Sequence, residues 1–263
     1  MADRMPALFV SHGAPSLVLE DCPAHHFLKG LGRTIPRPTA IVVMSAHYEA
    51  DTPTVSGAAA PETTHDFRGF PVELYAMRYR APGAPAVADR IADLLRAARF
   101  DAAVEPERGF DHGVWVPLTL IYPGADIPVV SLSIQPQETP RHHSAIGRAL
   151  SPLRDEGILL IGSGSMTHNL ERFFAGGYDL NSPAEPFARE FADWIADRIA
   201  EGRTDALIAA PDTWPGGREN HPTDDHILPF YFALGAGGEA CGGRRLHRST
   251  NYGVLAMDAF AFG

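Results

Sequence analysis

Apolar residues in this chain fall in short, dense runs separated by polar, Gly- and Pro-bearing stretches. The runs near 7–11 (ALFVS), 40–46 (AIVVMSA), 127–134 (IPVVSLSI) and 158–162 (ILLIG) are nearly continuous and rich in β-branched residues or Leu. Such runs predict strands buried on both faces. A fifth strand is predicted within 252–262 (YGVLAMDAFAF). Helices are predicted near 84–99, 140–154, 184–201 and 225–236. The clearest is 184–201, where Phe187, Phe191, Trp194, Ile195 and Ile199 recur on one helical face. Strands alternating with helices predict an α/β fold: a single-domain, three-layer sandwich spanning 1–263 around a mostly parallel or mixed sheet. Residues 48–80 break the scheme, carrying Pro, Gly and aromatics without a period. A long irregular segment in a compact domain predicts a functional loop, here a lid.

Three of the apolar runs deliver a histidine: ALFVSH ends at His12, AIVVMSAH at His47 and ILLIGSGSMTH at His168. In open α/β sheets ligands gather outside the carboxyl ends of the strands. Three imidazoles brought to that edge can converge on one metal ion, because neutral imidazole is the commonest metal ligand. One histidine at a strand end is more often hydrogen-bonded or exposed than a ligand; three at the same topological place favour a site. Small residues flank them, as in Gly13-Ala14-Pro15 after His12 and in GSGSM before His168. A fourth candidate, His226, lies in HPTDDH. A helix starting at Asp224 or Asp225 would place it in the first turn, with Thr223 as N-cap. Asp225 is then a candidate acceptor for an imidazole N–H. His221 is the weaker candidate for the metal. His112, in FDHG, follows no apolar run and reads as a surface histidine in a tight turn. His25, His26, His142, His143 and His247 read as solvated, and His65 is left open.

Composition narrows the partners. The net charge is −10 with a pI near 5.6, and the only lysine is Lys29. An acidic chain without a basic stripe is expected to bind neither nucleic acid nor an anionic membrane. Arg68, Arg78 and Arg80, in or beside the lid, are candidates to pair with an anionic substrate, and Phe67, Phe70 and Tyr75 to wall it. Cys22 and Cys241 are too few for a disulfide scaffold. With no apolar stretch of membrane-spanning length and no signal-peptide pattern, a cytoplasmic protein is expected.

FVSHGAP, VVMSAHY, HDFRGFP, GFDHGVWVPL, GSGSMTHNL and HPTDDHILP, taken in order, resemble the class III (LigB-type) extradiol ring-cleavage dioxygenases, in the branch named for 4,5-DOPA dioxygenase. The resemblance runs from about residue 5 to the C-terminus. It implies one divalent metal ion per chain held by His12, His47 and His226. It implies that His168 is the catalytic acid–base histidine and a possible fourth ligand in a resting zinc form, and that His112 faces substrate and oxygen. His226 stands where better-known members carry a carboxylate, so the three-histidine set departs from the usual two-His-one-carboxylate arrangement. Fe(II) is expected for oxidative opening of a small catechol with O₂, and Zn(II) as a bound or resting metal. The alternative is a zinc-dependent hydrolase or lyase on the same histidines, and a binding protein on the same scaffold is the third reading.

Overall fold

A computed structural model describes residues 4–209, 213–238 and 242–263. The strands in chain order are β1 (Ala7–Ser11), β2 (Ala40–Glu49), β3 (Thr54–Ser56), β4 (Ala103–Glu105), β5 (Val129–Ile134), β6 (Ile158–Gly164), β7 (Gly243–His247), β8 (Thr250–Asn251), β9 (Leu255–Ala256) and β10 (Ala259–Phe262). Eight of them form one mixed sheet in the order β4-β3-β5-β2-β6-β1-β10-β7, while β8 and β9 pair as a separate ribbon. The centre of the sheet, β5-β2-β6-β1, is parallel; β3 runs against β5 and β10 against β1.

The central strands are buried along nearly their whole length, with only the end of β2 emerging, because both faces are covered. Val42 and Met44 of β2 join the core beneath the helices Leu228–Gly237, Pro140–Leu150 and Pro85–Ala97. Ile41 and Val43 join the opposite core, with the helices Pro23–Leu31 and His112–Ile121. This is the α/β, three-layer, mixed-sheet fold that the alternating elements predict.

Four of the predicted helices are present, with ends adjusted. Those at 85, 140 and 186 begin at a proline, whose fixed φ and missing N–H suit the first helical position. The 140–154 segment ends as α-helix at Leu150 and continues as a 3₁₀ turn, Ser151–Glu156. The fourth begins at Leu228 rather than at 224 or 225. Thr223 is therefore not its N-cap; its hydroxyl donates instead to the Asp225 carboxylate.

The expected strand 252–262 is divided. Backbone turning at Tyr252 (φ 54°) leaves β9 in the ribbon, and only Ala259–Phe262 enters the sheet, antiparallel to β1. The helix His112–Ile121 was not predicted, because it is buried all round and lacks an amphipathic period.

The 48–80 segment is not one lid. Its start completes β2 and forms β3 at the sheet, and a short helix spans Val72–Ala76. Glu49 at the end of β2 and the part around 66–70 reach the histidine cavity. Cys22 is buried and free, whereas Cys241 lies outside the described residues.

Two glycines on β6 decide how the helix Leu228–Gly237 docks. A Cβ on Gly162 would lie 1.9 Å from the Pro229 carbonyl oxygen, and one on Gly164 would lie 2.2 Å from that of His226. The backbone of the 226–229 turn therefore rests directly on the strand. Gly162→Ala is expected to cost about 1–3 kcal/mol of overpacking, read as a lower denaturant midpoint with unchanged slope. An unshifted midpoint would show that the turn can retreat freely.

Candidate metal centre

The parallel strands β1, β2 and β6 end side by side, and the histidines lie at those ends. His12 directly follows β1 and its backbone N–H donates to Gly164 O (2.9 Å) at the end of β6. His47 lies near the end of β2. His226 occupies the turn before Leu228–Gly237 and is pinned to β6 by the Ser165 N–H, which donates to its carbonyl (2.9 Å). The three Nε2 atoms face one another: His47 is 3.1 Å from His12 and 3.2 Å from His226.

The partners on the other ring nitrogens fix what those Nε2 atoms carry. Ser163 Oγ donates its proton to Gly113 O, so its 3.1 Å contact with His12 Nδ1 requires the imidazole to donate. His226 Nδ1 meets the Asp225 carboxylate, which only accepts. Both rings thus carry their proton on Nδ1 and a lone pair on Nε2. A proton on His47 Nε2 can satisfy one of these lone pairs but not both. A cation satisfies all three.

Two nitrogens bound at about 2.0–2.1 Å to one ion, with angles between 90° and tetrahedral, lie roughly 2.8–3.4 Å apart. The observed spacings fit that range, so His12, His47 and His226 form a group able to hold one metal ion. The electrostatics agree. Burial, reinforced by the neighbouring imidazoles, pushes His12 and His47 well below the usual histidine range and keeps them neutral.

His168 and His112 complete the cluster. His168 stacks on His226 with ring centroids 3.5 Å apart, and burial first, then the His226 ring, lowers it to about 2. His112 is buried at the start of its helix, its ring 3.8 Å from that of His47. The surface position expected for His112 is thus corrected: the apolar VWVPL that follows draws it inward. His143 is likewise buried, not solvated, and accepts from the Gln135 N–H (3.1 Å). His221 faces away from the cluster, with its Nε2 bonded to Met166 O (2.8 Å).

Several site residues were not anticipated. Asp66 accepts from the His112 backbone N–H (3.0 Å) and from His112 Nδ1 (2.9 Å). Asp111 is fully buried; burial raises its carboxyl even though Ser45 donates to it at 2.6 Å and Arg108 at 3.3 Å. Arg108 also donates to the His47 carbonyl (3.2 Å) and lies over the Tyr48 ring. The available signals were the carboxylates beside histidine in HDF and FDH, but only the fold shows which imidazole each one meets.

The five histidines floor a cavity of about 650 Å³ walled by Phe67, Phe70, Leu170, Phe173, Phe174 and Tyr252. Of the three candidate arginines only Arg68 lines it. Arg78 and Arg80 line a separate cavity, and Arg78 is tied to the Tyr75 and Met77 carbonyls. Tyr75 packs against Phe67 behind the wall.

A mixed α/β sheet thus carries at its strand ends an apolar-walled cavity whose histidine floor could hold a metal ion. Residues 6–261 match the family described as the catalytic LigB subunit of aromatic ring-opening dioxygenase. The chain is 39% identical over 258 residues to a 4,5-DOPA dioxygenase extradiol of Beta vulgaris, covering 97% of this chain and 95% of that one. It is 42% identical over 237 residues to one from Escherichia coli K12, covering 89% and 85%. A solved structure of an uncharacterized Escherichia coli K12 protein superposes with a TM-score of 0.81 at 36% identity, over 99% of this chain and all of that one. The chain belongs to the LigB family and is an extradiol ring-opening dioxygenase; the family is metal-dependent, and the hydrolase alternative is not favoured. Among the described residues no helix is long and apolar enough to cross a membrane.

Buried neutral histidines give the fold a pH dependence. Burial lowers His143 and His221 from 6.5 to about 4. Between those values the unfolded chain takes up protons that the folded chain refuses, so stability is lost as pH falls from about 6.5 toward 4. The thermal midpoint of metal-free protein is expected to be lower at pH 5 than at pH 7.5. A flat or opposite trend would contradict the neutral assignment.

Proposed function

We propose that the protein opens the ring of a small catechol beside its hydroxyls, using O₂ and one divalent ion per chain held by His12, His47 and His226. The observation that carries this reading is the convergence of the three Nε2 atoms, with His47 3.1 Å from His12 and 3.2 Å from His226, on the floor of an apolar-walled cavity. When bound, Fe(II) would supply the Lewis-acid and redox chemistry that brings catechol and O₂ together; Zn(II) is the resting alternative on the same donors. Relatives carry the name 4,5-DOPA dioxygenase, which makes DOPA-like catechols the first substrates to test.

The residues around the floor have separable tasks. Phe67, Phe70 and Phe173 exclude water and hold an aromatic ring against the histidines, so that proximity contributes much of the rate. His168 is held neutral by burial and takes a phenolic proton, returning it later in turnover. His112 faces the substrate oxygens. Asp225 carries no ligand role: its carboxylate is engaged by the other nitrogen of His226. Glu219 and Asp224 are paired with Arg172 and Arg218. The reading retains a cytoplasmic enzyme acting on a small molecule, with neither nucleic acid nor membrane as partner.

His12→Ala and His47→Ala are each expected to lose stoichiometric metal while retaining the far-ultraviolet spectrum of the folded chain, because they end strands rather than fill the core. Full metal content in both variants would refute the ligand set. Metal-free protein reloaded anaerobically with Fe(II) is expected to consume O₂ with a catechol and yield a coloured ring-opened product, whereas Zn(II) is not. His168→Ala should keep its metal and lose turnover by roughly 10²–10⁴-fold. Absence of oxygen uptake with every catechol tested would overturn the reading.

A further inference from the structure

Asp66 grips His112 with both carboxylate oxygens, one on the backbone N–H (3.0 Å) and one on Nδ1 (2.9 Å). A carboxylate only accepts, so Nδ1 carries a proton and Nε2 is the ring nitrogen left free of Asp66. His168, by contrast, has no hydrogen bond to its ring among the described residues and stacks on His226. Asp66 also lies 3.8 Å from His47 Nδ1 and directly precedes Phe67 of the cavity wall. One carboxylate therefore orients an imidazole and seats the loop that covers the substrate.

We propose that Asp66 is a positioning residue that fixes His112 in the tautomer offering a lone pair to the cavity, so that His112 enters turnover as a proton acceptor. The inference rests on the catechol-opening reading. In the step it assigns, a phenolic O–H bond breaks, its electron pair stays on oxygen, and an N–H bond forms at His112 Nε2. The resulting imidazolium is held by the Asp66 carboxylate. Only then does His112 have an N–H with which to stabilise an oxygen, so its donor role follows its acceptor role. The two phenolic protons of a catechol thus have two imidazole acceptors, His112 and His168.

A merely structural Asp66, capping the helix His112–Ile121 through the backbone N–H alone, would leave the ring tautomer unset. The deciding measurement is long-range ¹H–¹⁵N NMR of ¹⁵N-histidine-labelled, Zn(II)-loaded protein, with the His112 signals identified by their loss in His112→Gln. The expected result is an Nδ1–H tautomer at His112 in the native protein and a change to Nε2–H in Asp66→Asn, whose amide can donate to Nδ1. In the Fe(II) enzyme Asp66→Asn should lower kcat roughly 10–100-fold with KM for catechol little changed, and Asp66→Glu should recover part of the loss. An Nε2–H tautomer in the native protein, or an unchanged tautomer in Asp66→Asn, overturns the proposal. If Asp66→Asn does not fold, the native tautomer and the kcat of Asp66→Glu still decide. The NMR result needs no turnover, so it fails independently of the functional reading, which falls on oxygen uptake by the native enzyme.

Discussion

Three imidazole nitrogens, with His47 Nε2 3.1 Å from that of His12 and 3.2 Å from that of His226, are the constraint on which the rest of the site depends. Neutral rings with lone pairs aimed at a common point repel unless a cation stands between them, and burial prevents protons from relieving the conflict cheaply. The protein enforces the arrangement from behind. Ser163 and Asp225 occupy the Nδ1 atoms of His12 and His226, and their own positions are set by β6 and by the turn resting on it. The parallel register of β1, β2 and β6 brings Val10, Ser45 and Ser163 to a common level, which delivers the histidines to one edge.

Glycine supplies the remaining freedom. On β6, Gly162 and Gly164 remove the side chains that would hold the 226–229 turn away from the sheet. His226 can then approach the strand-end histidines from the opposite core layer. The small-residue stretch GSGSM reads in the sequence as room for a ligand. In the fold that room is taken by the backbone of the turn carrying His226, and the ligand's space lies beyond it.

The cavity joins a polar floor to an apolar wall, and the two are mechanically connected. Asp66 links the loop bearing Phe67, Arg68 and Phe70 to the helix that starts at His112, while Arg108 braces the His47 carbonyl and the buried Asp111. A buried carboxylate such as Asp111 is expensive to place unless it is hydrogen-bonded. Here Asp111 is met by Ser45 and Arg108, and Asp66 by His112, so the network holds the rings in place.

The sequence by itself determined the layered α/β class, the four central strands, the main helices and the family, because runs buried on two faces and ordered motifs are properties of local sequence. His12 and His47 were legible for the same reason: each terminates such a run. Tertiary structure decided the rest. His112 and His143 looked solvated because nothing local marks a histidine for burial, and their seats are made by distant segments. Arg78 and Arg80 were separated from Arg68 by the path of one irregular loop. Asp66 acquired a partner 46 residues away. For His12 and His112 the nitrogen that faces the cavity is set by hydrogen bonds to Ser163 and Asp66, far away in the chain, and such pairings exist only once the chain has folded.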